Sequence, residues 1–179
     1  QTAKAWMQVE DVEAKTPYYR VRASMADSTK VCRIKEGNFS LGFLENGERL
    51  VPIVDPDLVF SYDVSLGMPV SFMENSLEEI RKKVQATKNI LPCSFYGVKR
   101  SLKAGECIRL YELYGEVASK SILQDFINQP MDAEYFDEKR KQAVALTEDL
   151  CKVIQTKTAS KEFDMYCKQS YLDNLLRGG

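Results

Sequence analysis

Alternation of apolar and polar residues dominates the first two thirds of the chain and predicts β-strands. Side chains alternate strictly over positions 18–25. One face carries Tyr19, Val21, Ala23 and Met25, and the other carries Tyr18, Arg20, Arg22 and Ser24. Short apolar runs follow at 31–34, 39–44 and 50–54. The last two runs are separated by Glu45-Asn46-Gly47-Glu48, and Asn-Gly supplies the positive φ that a tight turn requires. A β-hairpin is therefore predicted here.

The strand pattern continues as far as Tyr114, with one helix between. A strand is predicted at 58–62 from its apolar run. Ser76 and Glu79 have the spacing of a capping box, in which each side chain accepts a hydrogen bond from a backbone amide at the start of a helix. Two further strands are predicted at 94–102 and 107–114, joined by a compact glycine-containing turn.

After Gly115 the apolar spacing changes to a helical period. Ser119 and Asp132 are placed to begin two helices, the second reaching about Gln155, and Ser160 to begin a third. The third helix carries a wide apolar surface, formed by Phe163, Tyr166, Cys167, Leu172, Leu175 and Leu176. Because this surface is more than one helix can shelter, partner helices outside these residues are expected.

Composition narrows the classes of function. The chain is 44% hydrophobic, enough for a globular core, and 25 basic residues balance 26 acidic ones to give a net charge of −1. The charges are spread along the chain, which argues against nucleic acid or an anionic membrane as partner. No apolar run approaches the roughly 20 residues of a membrane span.

Cysteine and histidine usage narrows the chemistry further. The five cysteines are an odd number without a CxxC pair, so spacing suggests neither a disulfide framework nor a zinc site. A reducing compartment fits this usage, and a cytoplasmic location is predicted. The chain contains no histidine, which excludes from these residues a Ser-His-Asp triad, a Cys-His pair and a histidine-ligated metal.

Two polar segments are candidates for sugar chemistry. The loop around Asp55, Asp57 and Asp63 offers carboxylates for a metal, a sugar or an acid–base pair, although aspartates beside proline more often form turns. Near the end of the chain, Asp173 and Arg177 share one helix face, next to Asn174. The trio is a candidate sugar-binding cluster; the alternative is a helix-end salt bridge followed by a glycine cap.

Several of these runs together resemble one enzyme family. They are Phe60-Ser61-Tyr62-Asp63-Val64-Ser65, Leu102-Lys103-Ala104-Gly105-Glu106 and, most distinctively, Phe163-Asp164-Met165-Tyr166-Cys167-Lys168-Gln169 with Leu172-Asp173-Asn174-Leu175-Leu176-Arg177-Gly178-Gly179. Over about positions 20–179 the chain resembles inverting β-glycoside phosphorylases of the cellobiose and β-1,3-glucan phosphorylase type. Ser61 departs from the pattern, which has glycine there.

The resemblance implies an α+β fold of three parts. Positions 1–115 would form an antiparallel β-sandwich, the second half of a supersandwich. Positions 116–158 would be linker helices, and 159–179 the first helix of an (α/α)6 barrel. Because the chain begins at Gln1 without a methionine, it is interpreted as a fragment of a larger enzyme.

The implied reaction is reversible phosphorolysis of β-glucan oligosaccharides. Inorganic phosphate is the co-substrate, no cofactor is expected, and the catalytic acid would lie outside this chain, so no catalytic residue is assigned here. Asp173, Asn174 and Arg177 would line the rim of the sugar site. The expected partners are an oligosaccharide, the rest of the barrel domain and, in some arrangements, a second copy of the chain.

Three alternatives remain open at this point. A non-enzymatic carbohydrate-binding sandwich would require tyrosines such as Tyr18, Tyr96 and Tyr111 to form an exposed flat platform. A scaffold module would act through the apolar face of its last helix. A hydrolase with the same two-domain plan is a close neighbour of the phosphorylase.

Overall fold

The computed structural model describes residues 6–22 and 33–178, and it confirms a mixed α+β fold. The chain divides into two compact units, residues 1–133 and 134–179. Part of the alternating run at 18–25 and the start of the run at 31–34 lie outside the described residues. The predicted divisions at 115/116 and 158/159 stay predictions.

Six strands and six helices make up the described chain. In order they are β1 (Met7–Glu10), β2 (Tyr18–Val21), β3 (Gly37–Leu44), β4 (Pro52–Ile53), α1 (Asp57–Phe60), α2 (Val70–Glu74), α3 (Leu77–Lys82), β5 (Phe95–Tyr96), β6 (Leu110–Val117), α4 (Lys120–Phe126), α5 (Ala133–Cys151) and α6 (Lys161–Leu176).

A four-stranded antiparallel sheet of order β1-β2-β3-β6 is the centre of the first unit. Strands β3 and β6 pair along their full length, from Gly37 opposite Val117 to Leu44 opposite Leu110. A separate two-stranded sheet joins β4 to β5. It lies close to the larger sheet, because a Cβ added to Gly42 of β3 would come within 2.6 Å of the Tyr96 ring of β5.

The predicted hairpin at Asn46-Gly47 is confirmed. Gly47 has φ of 80°, and the Leu44 amide donates to the Glu48 carbonyl at 2.9 Å. The returning arm makes one bridge, between Arg49 and Phe43, and the chain then leaves to form β4. The predicted strand at 50–54 is thus reduced to the two residues of β4.

Burial of apolar side chains explains why β3 is central. Phe39, Leu41 and Phe43 project to one face and are all buried. On this face the Phe39 ring lies 6.2 Å from the ring of Phe126 of α4. A second cluster beside the small sheet joins Ile53, Val59 and Ile80, drawn from β4, α1 and α3.

The prediction of a strand at 58–62 is wrong, because residues 58–60 belong to the short helix α1, which begins at Asp57. Pro56 is the N-cap of α1, and its carbonyl accepts from the Phe60 amide at 2.8 Å. Ser61 follows with φ of 53°, which ends the helix. The predicted capping box is confirmed, with both Ser76–Glu79 hydrogen bonds present at the start of α3.

The strands predicted at 94–102 and 107–114 form only in part. The first is limited to β5, while the second begins later and runs further, from Leu110 to Val117. The described residues contain no helical barrel, and the β-sandwich also stays a prediction.

The helices predicted to follow Gly115 are all present. Helix α4 starts after Ser119, α5 starts after Asp132, and the Ser160 hydroxyl accepts from the Phe163 amide at the start of α6. None of the side chains of α5 or α6 is buried; Phe163 is 52% exposed and Leu176 72%. No helix among the described residues is long and apolar enough to cross a membrane.

Candidate functional site

The predicted sugar-rim residues lie at the end of α6. The Arg177 Nε donates to the Asp173 Oδ1 at 3.0 Å, and both side chains are exposed. Gly178 follows with φ of 80°, the conformation of a glycine helix cap. The structure therefore brings Asp173 and Arg177 together in the helix-end pair that was the alternative interpretation. Asn174 is exposed on the same turn, and a role in sugar binding stays a prediction.

Asp55 has a structural task in the loop that was considered for catalysis. The side chain is buried, and its two oxygens accept from the backbone amides of Asp57 at 3.1 Å and Ala86 at 2.8 Å. These bonds fix the start of α1 to the segment that follows α3. Both carboxylate oxygens of Asp55 are therefore used in hydrogen bonds that stabilise the fold.

Asp63 likewise serves its own loop. It accepts from the Ser65 hydroxyl and from the backbone amides of Ser65, Gly67 and Met68. These bonds, that from the Ser65 hydroxyl most strongly, hold the pKa of Asp63 below its usual range. Across residues 6–22 and 33–178, no three Cys, Asp or Glu side chains are grouped to hold a metal ion.

The tyrosines considered for a carbohydrate platform do not share one exposed surface. Tyr18 is buried, and its hydroxyl donates to the Lys35 carbonyl at 2.6 Å. Tyr111 lies opposite Phe43 in the β3–β6 ladder, so strand alternation directs its side chain to the face of the sheet that carries Phe43. Tyr96 lies against the other face, at Gly42.

A cleft of about 290 Å³ opens on the Gly42 face of the sheet, and we refer to it as the sheet cleft. Glu112 lies opposite Gly42 in the ladder, and Leu110 lies opposite Leu44. The far wall comes from Phe95 and Tyr96 of the small sheet and from Ser94, the residue before β5. The cleft is therefore lined by the aromatic rings of Phe95 and Tyr96 and by the carboxylate of Glu112.

Hydrogen bonds fix the polar wall of the sheet cleft. The Tyr96 hydroxyl donates to the Ser40 carbonyl at 2.6 Å, and the Ser94 hydroxyl donates to the Ser40 Oγ at 2.7 Å. The Ser40 hydroxyl in turn donates to the Glu112 Oε1 at 3.0 Å. Burial raises the pKa of Tyr96 above its usual value, so its hydroxyl remains a donor.

The sequence analysis did not identify Glu112 as a site residue, nor the buried Ser40 as the residue that donates to it. The signal available was the alternation of β6, where Leu110, Glu112 and Tyr114 are exposed and the residues between them are half-buried. Such a pattern marks an accessible face. It does not reveal which distant residues lie above that face.

A larger open cavity of about 790 Å³ lies within the second unit, at the end of α5. Lys152, Lys157 and Lys168 line it, and Lys152 is paired with Asp149. The carbonyls at the C-terminal end of a helix favour nearby cations. Stabilisation of the end of α5 at Cys151 accounts for Lys152 without a ligand.

Comparison of the chain with protein-family models, with curated proteins and with solved structures gives no match. The class of protein therefore has to be inferred from the residues and their geometry.

Proposed function

We propose that the chain is a non-catalytic portion of an inverting β-glucan phosphorylase. The observation that carries this proposal is the run from Phe163 to Gly179, which resembles the phosphorylase pattern and whose helix leaves five large apolar side chains exposed: Phe163, Met165, Tyr166, Leu175 and Leu176. In water an uncovered surface of this kind is unfavourable by roughly 25 cal/mol per Å². Packing of α6 within an (α/α)6 barrel would cover it.

The architecture of the first unit is compatible with half of a supersandwich. On the Gly42 face, Tyr114 of β6 does not line the sheet cleft and is 78% exposed, between the exposed carboxylates of Glu112 and Glu116, which leaves one aromatic ring for contact with a further sheet. In this proposal positions 1–115 supply the sandwich half, 116–158 the linker helices and 159–179 the first barrel helix.

The reaction is a displacement at the anomeric carbon. One carboxylic acid, outside these residues, protonates the glycosidic oxygen, while inorganic phosphate attacks from the opposite face and becomes bonded to that carbon. Phosphate is already an anionic nucleophile, so no second carboxylate is needed as base. A β-linked oligosaccharide therefore yields an α-sugar 1-phosphate and a shortened chain.

Partners and location follow from this reaction. The proposed partners are an oligosaccharide, the remainder of the barrel domain and, in a homodimer, a second copy of the chain. Phosphorolysis draws on inorganic phosphate and yields a phosphorylated sugar, which suits the cytoplasm. The four cysteines within the described residues are free thiols, as a reducing compartment would maintain them.

The direct test is an assay of the 179-residue chain with cellobiose or laminaribiose and inorganic phosphate. We expect no sugar 1-phosphate from the chain alone, because it lacks the acid, and steady release from the enzyme that contains it. Turnover by the chain alone would count against the proposal.

Arg177→Ala in the whole enzyme tests the proposed rim of the sugar site. If Arg177 donates to a sugar hydroxyl, loss of the charged bond is expected to raise the oligosaccharide KM by about tenfold or more. Arg140→Ala, on the exposed surface of α5, is the matched control and should leave KM unchanged. Unchanged KM and kcat in both variants would remove Asp173, Asn174 and Arg177 from the site.

A second candidate is a non-enzymatic carbohydrate-binding domain, which the sheet cleft favours. The burial of Tyr18 counts against the flat platform that this candidate was expected to need. The two candidates differ in one measurement: a binding domain retains oligosaccharide affinity, but no protein that contains it releases sugar 1-phosphate.

A further inference from the structure

The negative charge of Glu112 in the sheet cleft favours a neutral ligand over an anionic one. Among residues 6–22 and 33–178, Glu112 is the only charged side chain that lines it, and no lysine or arginine of those residues does so. A phosphate or carboxylate would therefore meet a carboxylate without a compensating cation. Phe95, Tyr96 and Leu110 provide apolar surface beside this single acceptor. A neutral molecule with an apolar face and hydroxyl groups at its rim matches such walls.

We propose that the sheet cleft binds one sugar ring of a neutral β-linked oligosaccharide, an inference that rests on the proposed function for its choice of sugar. A pyranose presents C–H groups on its faces and hydroxyls around its edge. The cavity volume of about 290 Å³ lies just below the roughly 300–1,000 Å³ typical of small-molecule sites, which suits a single ring.

Glu112 is the residue that orients the sugar. Its Oε1 accepts from the Ser40 hydroxyl at 3.0 Å, which restrains the carboxylate. Its Oε2 accepts no hydrogen bond from the described residues and is available to a ligand hydroxyl. A bond to a charged acceptor is roughly twice as strong as one between neutral groups. The hydrogen bonds from Ser94 to Ser40 and from Ser40 to Glu112 therefore hold one strong acceptor beside the cleft.

The wall opposite Glu112 is formed before any ligand arrives. The Tyr96 ring lies against Gly42, and its hydroxyl is tied to the Ser40 carbonyl. A side chain at position 42 would collide with this ring, so glycine is required there. A wall fixed in this way loses little entropy on binding, which favours affinity.

Titration of the 179-residue chain with laminaritriose and cellotriose, followed by amide NMR shifts and calorimetry, tests the inference. We expect saturable binding, with the largest shifts at Gly42, Ser94 and Glu112. Glu112→Ala is expected to weaken binding about tenfold or more. Glu116→Ala is the matched control, because Glu116 lies on the same face of β6 and does not line the cleft.

Several results would overturn the inference: no saturable binding of either trisaccharide, shifts that map elsewhere, or equal affinity in both glutamate variants. Binding of glucose 1-phosphate in preference to the neutral sugars would contradict the charge argument. If the chain does not bind the trisaccharides but the whole enzyme releases sugar 1-phosphate, the cleft proposal is wrong and the phosphorylase proposal stands. If the chain binds them in the cleft but the whole enzyme releases no sugar 1-phosphate, the cleft proposal stands and the phosphorylase proposal is wrong.

Discussion

Replacing Phe43 by alanine is expected to lower the free energy of unfolding by about 3–5 kcal/mol. Phe43 is 2% exposed, lies near the end of β3 and faces Tyr111 across the ladder. Truncation removes the ring from the interior and leaves a cavity that the two paired strands restrict from collapsing. Urea denaturation followed by circular dichroism measures the loss as a lower midpoint.

The matched control is Tyr114→Ala on the neighbouring strand. Tyr114 is 78% exposed, so its loss is expected to change the free energy of unfolding by no more than about 0.5 kcal/mol. If Phe43→Ala and Tyr114→Ala lowered the free energy of unfolding equally, the assignment of Phe43 to the buried face and Tyr114 to the exposed face would be wrong.

Cys93 is expected to react with a thiol reagent at least a hundredfold more slowly than Cys107 in native buffer. The Cys93 thiol donates to the Ile53 carbonyl at 3.4 Å, and burial raises its pKa to about 12. Near neutral or mildly alkaline pH almost none of it is thiolate, the reactive form. Cys107 is exposed. Reaction with a coloured disulfide reagent, with peptide mapping of the labelled sites, gives the two rates.

The pH dependence and the unfolded chain provide the controls. Because the folded-state pKa of Cys93 lies above the working pH, its rate should rise about tenfold per pH unit. In denaturing urea, burial is lost and both cysteines should react at similar rates. Native labelling of Cys93 as fast as Cys107 would contradict the half-buried position of Cys93 beside β4, where its amide donates to the Val54 carbonyl and its thiol to the Ile53 carbonyl.

Features set by neighbouring residues could be predicted from the sequence. The Asn46-Gly47 turn, the Ser76–Glu79 capping box and the Ser160 cap each depend on side chains within a few positions of the backbone groups they satisfy. Each is present in the structure. The residues that form each of these features are close in sequence, so their interaction does not depend on the rest of the fold.

Strand limits could not be predicted, because the partner strand sets them. β6 begins at Leu110, the residue opposite Leu44 at the end of β3, although the apolar run begins earlier in the sequence. The apolar run at 58–62 fits a helix or a strand equally well. Pro56 and the buried Asp55 carboxylate decide for the helix.

The sheet cleft depends on still longer separations. Ser40 and Glu112 are 72 positions apart and Ser94 is 54 from Ser40, yet their hydroxyl and carboxylate groups form one series. Only the register of β3 with β6 and the packing of β5 on Gly42 bring them together. The Asp173–Arg177 pair, by contrast, lies within one helical turn and was visible in the sequence.

The anomeric configuration of the product tests the central proposal most directly. Proton and phosphorus NMR of the proposed full-length phosphorylase, supplied with a β-linked glucan oligosaccharide and inorganic phosphate, would follow the first turnovers. Inverting phosphorolysis predicts an α-sugar 1-phosphate as the initial product. Release of free glucose, of a β-sugar 1-phosphate, or of no product would contradict it.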